Sequence, residues 1–255
     1  MKITLITATY NSFPSILEAI RSVSNPTGVE LEYLVIDGGS QDQTMEVVNA
    51  SNLVTQIVSE PDKGIYDALN KGLHLATGDI IGFLHSDDLL ASPDTLKNIV
   101  AAFNSQESNN HLQVDGVYGD LVYVGKKDTK KVIRYWKSQP FKPISLRFGW
   151  MPAHPAVFMR REVYEKHGLF DLQFKISADY DLMLRIFKDK SLNFVYLPEV
   201  ITKMRVGGIS NRSIKNLIQK SKEDYRAICK NNIPYPLWVL FVKNISKIPQ
   251  FFRKY

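Results

Sequence analysis

Ile80-Ile81-Gly82-Phe83-Leu84-His85-Ser86-Asp87-Asp88-Leu89 is the stretch on which the fold turns. Its apolar opening suits a short buried strand, and two adjacent carboxylates follow where that strand opens into a loop. In open α/β sheets, ligands bind beyond the carboxyl ends of the strands. Adjacent carboxylates repel each other, and a divalent cation is the usual reason to keep them together. Mg2+ or Mn2+ prefers carboxylate oxygens and often bridges them to phosphates. The plainer alternative is a solvated acidic turn, with Ser92 or Asp94 capping the next helix.

Working outward, strand and helix patterns alternate through the first hundred residues. Strands are expected at 3–9, 31–36, 54–59 and 80–84. Helices are expected at 14–23, 43–50, 65–76 and 93–103, the third carrying Ile65, Ala68, Leu69, Gly72, Leu73 and Ala76 on one face. Such alternation predicts an α/β fold with a mostly parallel, Rossmann-like sheet and helices on both faces. Beyond about residue 114 the pattern changes. Strands are expected at 116–123, 131–136, 156–159 and 193–198, and helices at 161–166, 177–188 and 212–231. Pro234 and Pro236 mark a boundary before a final apolar and basic tail.

The 255 residues suffice for one large α/β domain, or a domain with an appendage. A formal net charge of +6 implies attraction to something anionic: nucleic acid, a phosphorylated substrate or anionic lipid. No nucleic-acid-binding motif accompanies the basic residues. The single cysteine, Cys229, excludes a disulfide framework within the chain and a cysteine-based zinc site, and fits a cytoplasmic setting. The run at 3–9 is too short and polar for a signal peptide. No stretch reaches the roughly 18–20 apolar residues of a membrane span.

Polar loops follow all four early strands: Thr9-Tyr10-Asn11-Ser12, Asp37-Gly38-Gly39-Ser40, Glu60-Pro61-Asp62-Lys63-Gly64 and His85-Ser86-Asp87-Asp88. Ser40, Asp42 and Asp62 can equally serve as turn and capping residues. Neither a Gly-x-Gly-x-x-Gly run nor a Walker lysine is present, so dinucleotide and P-loop readings are weak. Four consecutive polar strand ends are nevertheless how a nucleotide cleft is built.

Taken as a set, Ile6-Thr7-Ala8-Thr9-Tyr10-Asn11, Val35-Ile36-Asp37-Gly38-Gly39-Ser40, Glu60-Pro61-Asp62-Lys63-Gly64-Ile65-Tyr66-Asp67 and His85-Ser86-Asp87-Asp88 resemble glycosyltransferase family 2, of the kind that builds bacterial cell-surface polysaccharides. The resemblance runs to about residue 210. It implies a GT-A fold over 1–211, with a nucleotide-sugar-binding half at 1–110, an acceptor-binding half at 111–211, and a helical extension at 212–255. It implies a nucleotide-diphosphate sugar as donor, most commonly of UDP. Asp37 would then hydrogen-bond the base, and Thr9, Tyr10 and Asn11 would line the same pocket. Asp62 and Lys63 would lie beside the base or diphosphate. His85, Ser86 and Asp87 would face the nucleotide sugar. Asp87 would be the principal ligand of Mg2+ or Mn2+, with Asp88 second. His85 stands where many members carry an acid, which is a departure from the pattern.

A second acidic cluster, Ser177-Ala178-Asp179-Tyr180-Asp181, opens a helix. There the dipole favours negative charge, and an N-cap is a sufficient reason for an Asp. The resemblance implies more: Asp179 matches the family's catalytic base, while Ala178 replaces the Glu that usually precedes it. A base here would deprotonate an acceptor hydroxyl as it attacks the anomeric carbon, inverting its configuration. Asp181 is an alternative base or a partner of Arg185 one turn on. His154 and Arg205 are further candidates for the acceptor or sugar pocket, with the loop 205–211 closing over the diphosphate or merely joining two elements.

In the tail, Leu237-Trp238-Val239-Leu240-Phe241-Val242 precedes Lys243, Lys247, Arg253 and Lys254. The tail reads as an interfacial amphipathic segment at the inner face of the membrane, or as a helix packed on the domain. The former suits a glycan or polyprenyl-diphosphate-linked acceptor. Two rivals are a nucleotidyltransferase, which normally shows a Gly-rich basic loop absent from 7–12, and a non-catalytic sugar-nucleotide-binding or scaffolding protein. The retained Asp37, Asp87, Asp88 and Asp179 argue against the latter.

Overall fold

The computed structural model describes residues 1–24, 28–110, 113–207 and 214–251. Its first half runs β1 (Lys2–Thr9), α1 (Ser15–Ser22), β2 (Glu30–Asp37), α2 (Thr44–Asn49), β3 (Gln56–Ser59), α3 (Ile65–Leu75), β4 (Ile80–Phe83), β5 (Leu89–Leu90) and α4 (Thr95–Asn110). The second half runs β6 (Gly116–Val124), β7 (Val132–Trp136), β8 (Val157–Arg160), α5 (Arg161–His167), α6 (Ala178–Phe187), β9 (Phe194–Arg205), α7 (Ile214–Lys230) and α8 (Pro236–Ile245).

A single sheet runs through both halves in the order β3-β2-β1-β4-β8-β6-β9-β5, with β7 also paired to β6. The strands from β3 to β4 are parallel, as the alternating pattern predicts. Beyond β4 the sheet becomes mixed, because β8 is antiparallel to both β4 and β6. The chain leaves β1 toward β2 and returns on the other side to β4. The β1–β4 junction is therefore the topological switch point, where two loops diverge and leave a crevice.

Period-two alternation divides the core. Ile6, Ala8, Leu34, Ile36, Ile81 and Phe83 face α3, α5 and α6, whereas Ile3, Leu5, Tyr33, Val35 and Ile80 face α1, α2 and α4. Gly82 allows the junction between the parallel and antiparallel parts. A Cβ there would stand 2.1 Å from the Phe158 ring on β8.

Two strands differ from the sequence expectation. β9 continues past Pro198 to Arg205, because its pairing with β6 shifts register around Asp120 and lets Pro198–Glu199 bulge out. Gly119 makes room for this: a Cβ there would lie 2.7 Å from the Glu199 carbonyl. β5 is only two residues long, too short for any periodic pattern, and exists through pairing with β9.

The C-terminal helices are tied to the domain. Ala227, Ile228, Ile233 and Val239 are buried in the same core as α6. Gly149, at φ +67°, lets α8 approach so closely that a Cβ would meet Lys243 Cβ at 2.6 Å. The opposite faces stay in water, with Leu237 71% and Phe241 58% exposed. The tail thus both packs and presents an apolar face. Among the described residues, no helix is long and apolar enough to cross a membrane. The expected boundaries at 111 and 212, loop residues 208–211, and Arg253 and Lys254 lie outside the described residues.

Candidate active site

The loops after β1, β2 and β3 are hydrogen-bonded to one another. Gly38 N–H donates to the Thr9 carbonyl at 2.9 Å. Asn11, at φ 46°, donates its N–H to Ser40 Oγ and accepts from Gln41 N–H, both at 2.8 Å. Gly38 also brings the third loop in, since a Cβ there would lie 2.6 Å from Asp62 Oδ2 and 3.4 Å from the Tyr10 ring. Asp62 Oδ1 accepts Gly64 N–H at 2.7 Å, and Lys63 is exposed beside it. Tyr10, Asn11, Asp62 and Lys63 thus form the accessible rim of one shelf.

Asp37 lies beneath that shelf. It is fully buried and accepts from the N–H groups of Gly39 (3.1 Å) and Ser40 (2.9 Å) and from the hydroxyls of Ser59 (2.6 Å) and Ser40. Asp37, expected to contact a base, has both oxygens engaged within the protein, where they hold the loop 37–40 in shape.

Beyond β4, Thr7 Oγ1 donates to the Leu84 carbonyl at 2.7 Å, and the Ser86 and Ser12 hydroxyls lie 2.9 Å apart. The loops after β1 and β4 therefore meet directly across the switch point. Asp87 is half-exposed and faces this space, whereas Asp88 is fully buried. Asp88 Oδ1 accepts Arg205 N–H at 3.2 Å, and Oδ2 has no partner. Burial and the neighbouring Asp87 charge push the Asp88 carboxyl well above the usual carboxylate range. Of the two expected metal ligands, Asp87, the principal one, is accessible, and Asp88, the second, is buried behind it.

Arg205 also departs from expectation. It is 5% exposed, donates to the Asp87 carbonyl at 2.6 Å and pairs with Glu18 of α1. It braces the acidic loop from below and does not line an acceptor pocket. Glu18 escaped the sequence reading because its partner lies 187 residues away and nothing local marks it.

The other wall comes from the second half. His154 is buried, and neither ring nitrogen has a partner. Its ring packs 4.9 Å from Phe83 and 5.5 Å from Phe170, and 6.1 Å from His85. Burial pushes its pKa down to about 3, with the nearby His85 adding to the effect, so it is neutral at physiological pH. His85 is half-buried with an unpartnered Nδ1. Burial lowers its pKa against the opposing pull of Asp87 and Asp179.

Asp179 stands in the first turn of α6, with the Tyr66 hydroxyl 3.1 Å from Oδ1. That hydroxyl donates to the Ile176 carbonyl at 2.7 Å. Ahead of α6, the Glu223 carboxylate accepts the N–H groups of Lys175, Ile176 and Ser177, a cap reaching across from α7. Burial raises the Asp179 pKa, and Lys220 and Lys243 pull it back. Both Asp88 and Asp179 act electrostatically on Tyr123, which brings the loop after β4 and the start of α6 near one residue of β6. Tyr66 belongs to the motif Gly64-Ile65-Tyr66-Asp67 and had a sequence signal. Glu223 had none.

Of the readings of Asp181, the structure bears out the pairing with Arg185 one turn on, not an exposed place in the acceptor pocket. Asp181 is fully buried on the far side of α6, bound by Arg185 (3.1 Å), Lys230 (3.0 Å) and Asn231 (2.9 Å). It fastens α7 to α6 and lines no pocket.

Asp87 fits a hard dication. It is an accessible carboxylate with a second acid behind it, the kind of site at which Mg2+ binds through one or two carboxylates together with substrate phosphates. Among the described residues no set of three or more His, Cys, Asp or Glu forms a cage that could hold a metal alone.

Polar loops meet at the switch point, and an acid from a separate helix acts on His85 of one of them. The chain belongs to Glycosyl transferase family 2, whose family model matches residues 4–168. It is 30% identical over 212 residues to a PGL/p-HBAD biosynthesis glycosyltransferase of Mycobacterium bovis, covering 81% of this chain and 78% of the relative. It is 26% identical over 249 residues to an uncharacterized glycosyltransferase of Haemophilus influenzae, covering 92% and 74%. The fold matches that of S. aureus TarS 1–349 in complex with UDP-GlcNAc, at a TM-score of 0.66 and 18% identity over 91% of this chain and 65% of that one. A longer TarS chain is spanned only to 44%. Glucosyl-3-phosphoglycerate synthase from Mycobacterium tuberculosis, in complex with Mn2+, UDP and phosphoglyceric acid, matches at a TM-score of 0.62 and 20% identity over 91% and 81%. The protein is a glycosyltransferase with the GT-A fold.

Proposed function

We propose that this glycosyltransferase is inverting and metal-dependent, and that it moves a sugar from a UDP-sugar to a hydroxyl of a glycan or polyprenyl-diphosphate-linked acceptor. The observation that carries this reading is that an accessible acid after β4, Asp87, and an acid opening α6, Asp179, both act on His85. The solved structures with UDP, UDP-GlcNAc and Mn2+ support the donor and cofactor by likeness of fold.

On the donor wall, the shelf of Tyr10, Asn11, Asp62 and Lys63 takes the nucleoside, and Asp87 lies where the diphosphate meets the sugar. A bound Mg2+ or Mn2+, held by Asp87, would neutralise charge on the departing UDP. On the acceptor wall, Asp179 is the general base. It takes the proton of the acceptor hydroxyl while that oxygen attacks the anomeric carbon, and the bond from that carbon to the diphosphate breaks on the opposite face. A carboxyl raised toward neutrality is the stronger base, yet it must still ionise, and Lys220 and Lys243 favour the ionised form. Neutral His154 adds no charge to the pocket and shapes it sterically.

The exposed Leu237, Trp238 and Phe241 of α8 favour a peripheral position on an anionic inner membrane, where a lipid-linked acceptor is presented. The test is release of free UDP from a panel of UDP-sugars with Mn2+, with and without lipid extract. Release that chelation abolishes supports the reading. A chain that binds UDP-sugar and never turns it over, with every acceptor supplied, refutes it.

A further inference from the structure

Several cations stand on α7, on α8 and in the turn that follows it. Lys243 of α8 is buried and paired with Asp224 of α7 at 2.8 Å, its ammonium 3.1 Å from the centre of the Tyr180 ring. That pair is internally balanced. Lys220 and Lys247 are not: among the described residues Lys220 makes no hydrogen bond or ion pair, and Lys247 meets only the neutral Asn244 amide at 3.1 Å. Arg134 of β7 is held by neutral groups alone. It donates to Gln250 and lies between the rings of Tyr123 (4.6 Å) and Phe251 (5.3 Å).

These cations share one place. Lys220 and Asp224 share one face of α7 at i, i+4. Asp224 pairs with Lys243, Lys247 follows Lys243 four residues on, and Arg134 binds Gln250 just beyond. Lys247 accordingly feels Lys220, Lys243 and Arg134, and Lys220 and Lys243 act on Asp179. The acids around them are committed elsewhere: Asp224 to Lys243, and Glu223 to the N–H groups ahead of α6. Three cations, from α7, from the turn after α8 and from β7, therefore gather in one region, Lys220 of them acting on Asp179, and among the described residues none has an ion pair of its own. Their mutual repulsion needs a reason to be tolerated, and an anion placed among them removes it.

We propose that Lys220, Lys247 and Arg134 form a subsite for a phosphate or diphosphate group carried by the acceptor, beside Asp179. The inference rests on the glycosyltransferase reading given above and adds the acceptor's chemistry to it. An anion held there orients the attacking hydroxyl toward Asp179 without touching the donor shelf. Burial and the neighbouring cations push the Lys247 pKa down to about 7, and a bound anion restores its full charge. A groove of about 510 Å³ lined by Leu217, Ile218, Tyr225, Leu237 and Leu240 opens between the same two helices, and Leu217 neighbours Lys220 at i, i+3. A lipid diphosphate has room for its chain there, whereas a soluble sugar phosphate does not need it.

The test is calorimetric titration of the full chain with inorganic pyrophosphate in chelator, so that no metal recruits it to Asp87. Wild type should bind, and Lys220→Ala/Lys247→Ala should weaken binding about tenfold or more. Lys220→Arg/Lys247→Arg should restore it. UDP affinity with Mn2+, measured on the same samples, reports the donor site and folding separately; its loss in wild type would sink the donor reading and leave the pyrophosphate result standing. Wild type that ignores pyrophosphate, or a double alanine variant that binds it as wild type does, overturns the subsite. Geranyl diphosphate then distinguishes the sources. Tighter binding than pyrophosphate, lost on Leu237→Ser, assigns a lipid headgroup, and equal binding assigns a soluble phosphate.

Discussion

Asp37 and Asp179 are both carboxylates beside the cleft, and their surroundings are opposite. Asp37 accepts four hydrogen bonds, from Gly39, from the amide and hydroxyl of Ser40, and from Ser59, all within its own loop or the adjoining strand. Asp179 has a single side-chain partner, Tyr66, 113 residues away, and burial raises its pKa. The donor wall is made of consecutive βα loops that hydrogen-bond to one another, with Thr9 Oγ1 and Asp88 Oδ2 left unpartnered. The acceptor wall is collected from α3, α6, α7 and the segment before β8, and it leaves both His154 nitrogens unpaired. Unmet polar groups are costly, and a site keeps them where a substrate will meet them. On the proposed reading, the nucleotide side is built from local loop hydrogen bonds and the transfer side from residues far apart in the chain.

The sharpest way to break that contrast is Asp179→Asn. It should lower the rate of UDP release by about 10²–10⁴-fold with UDP affinity retained, measured by steady-state assay and calorimetry. Near-full activity would remove the base from the acceptor wall. The converse substitution, Asp37→Ala, should act first on folding. It strands four donors and should cost about 3 kcal/mol in urea denaturation. Unchanged stability would mean that the loop does not depend on its buried acid.

Trp238→Ser/Phe241→Ser should reduce binding to vesicles containing anionic lipid about tenfold, read by co-sedimentation, with UDP affinity unaltered. Equal sedimentation would take the exposed face of α8 out of membrane contact. The smallest effect is a displacement of the pH profile. Because burial raises the Asp179 pKa, the acidic limb of the transfer rate should lie above the 3.8 of an ordinary Asp. Lys220→Gln, which removes the foremost group lowering that pKa, should move the limb to higher pH. The stability sign runs the same way: a carboxyl whose folded pKa is raised holds its proton longer in the folded state, so stability declines as pH climbs from about 4 through the folded pKa. A limb that stays put in Lys220→Gln would show that Lys220 does not govern the base.

What the sequence determined by itself was whatever rests on neighbours along the chain. The alternation of β1 to β4 with α1 to α4, the polar strand ends, the acidic pair after β4 and the acid opening α6 all follow from periodicity and short motifs. Those motifs were enough to identify the family. The tertiary structure decided which of these residues reach a ligand. Asp37, Asp88 and Asp181 are all acids at or near the ends of elements, and packing buries all three. Arg205 reads as a loop cation until β9 continues past Pro198 and carries it under Asp87. Glu18, Glu223 and the Lys220–Lys247–Arg134 cluster had no local signal, because their partners lie tens to nearly two hundred residues away. Periodicity tells which face of an element is apolar, but burial and charge pairing depend on what other elements place opposite it, and that is a property of the folded chain.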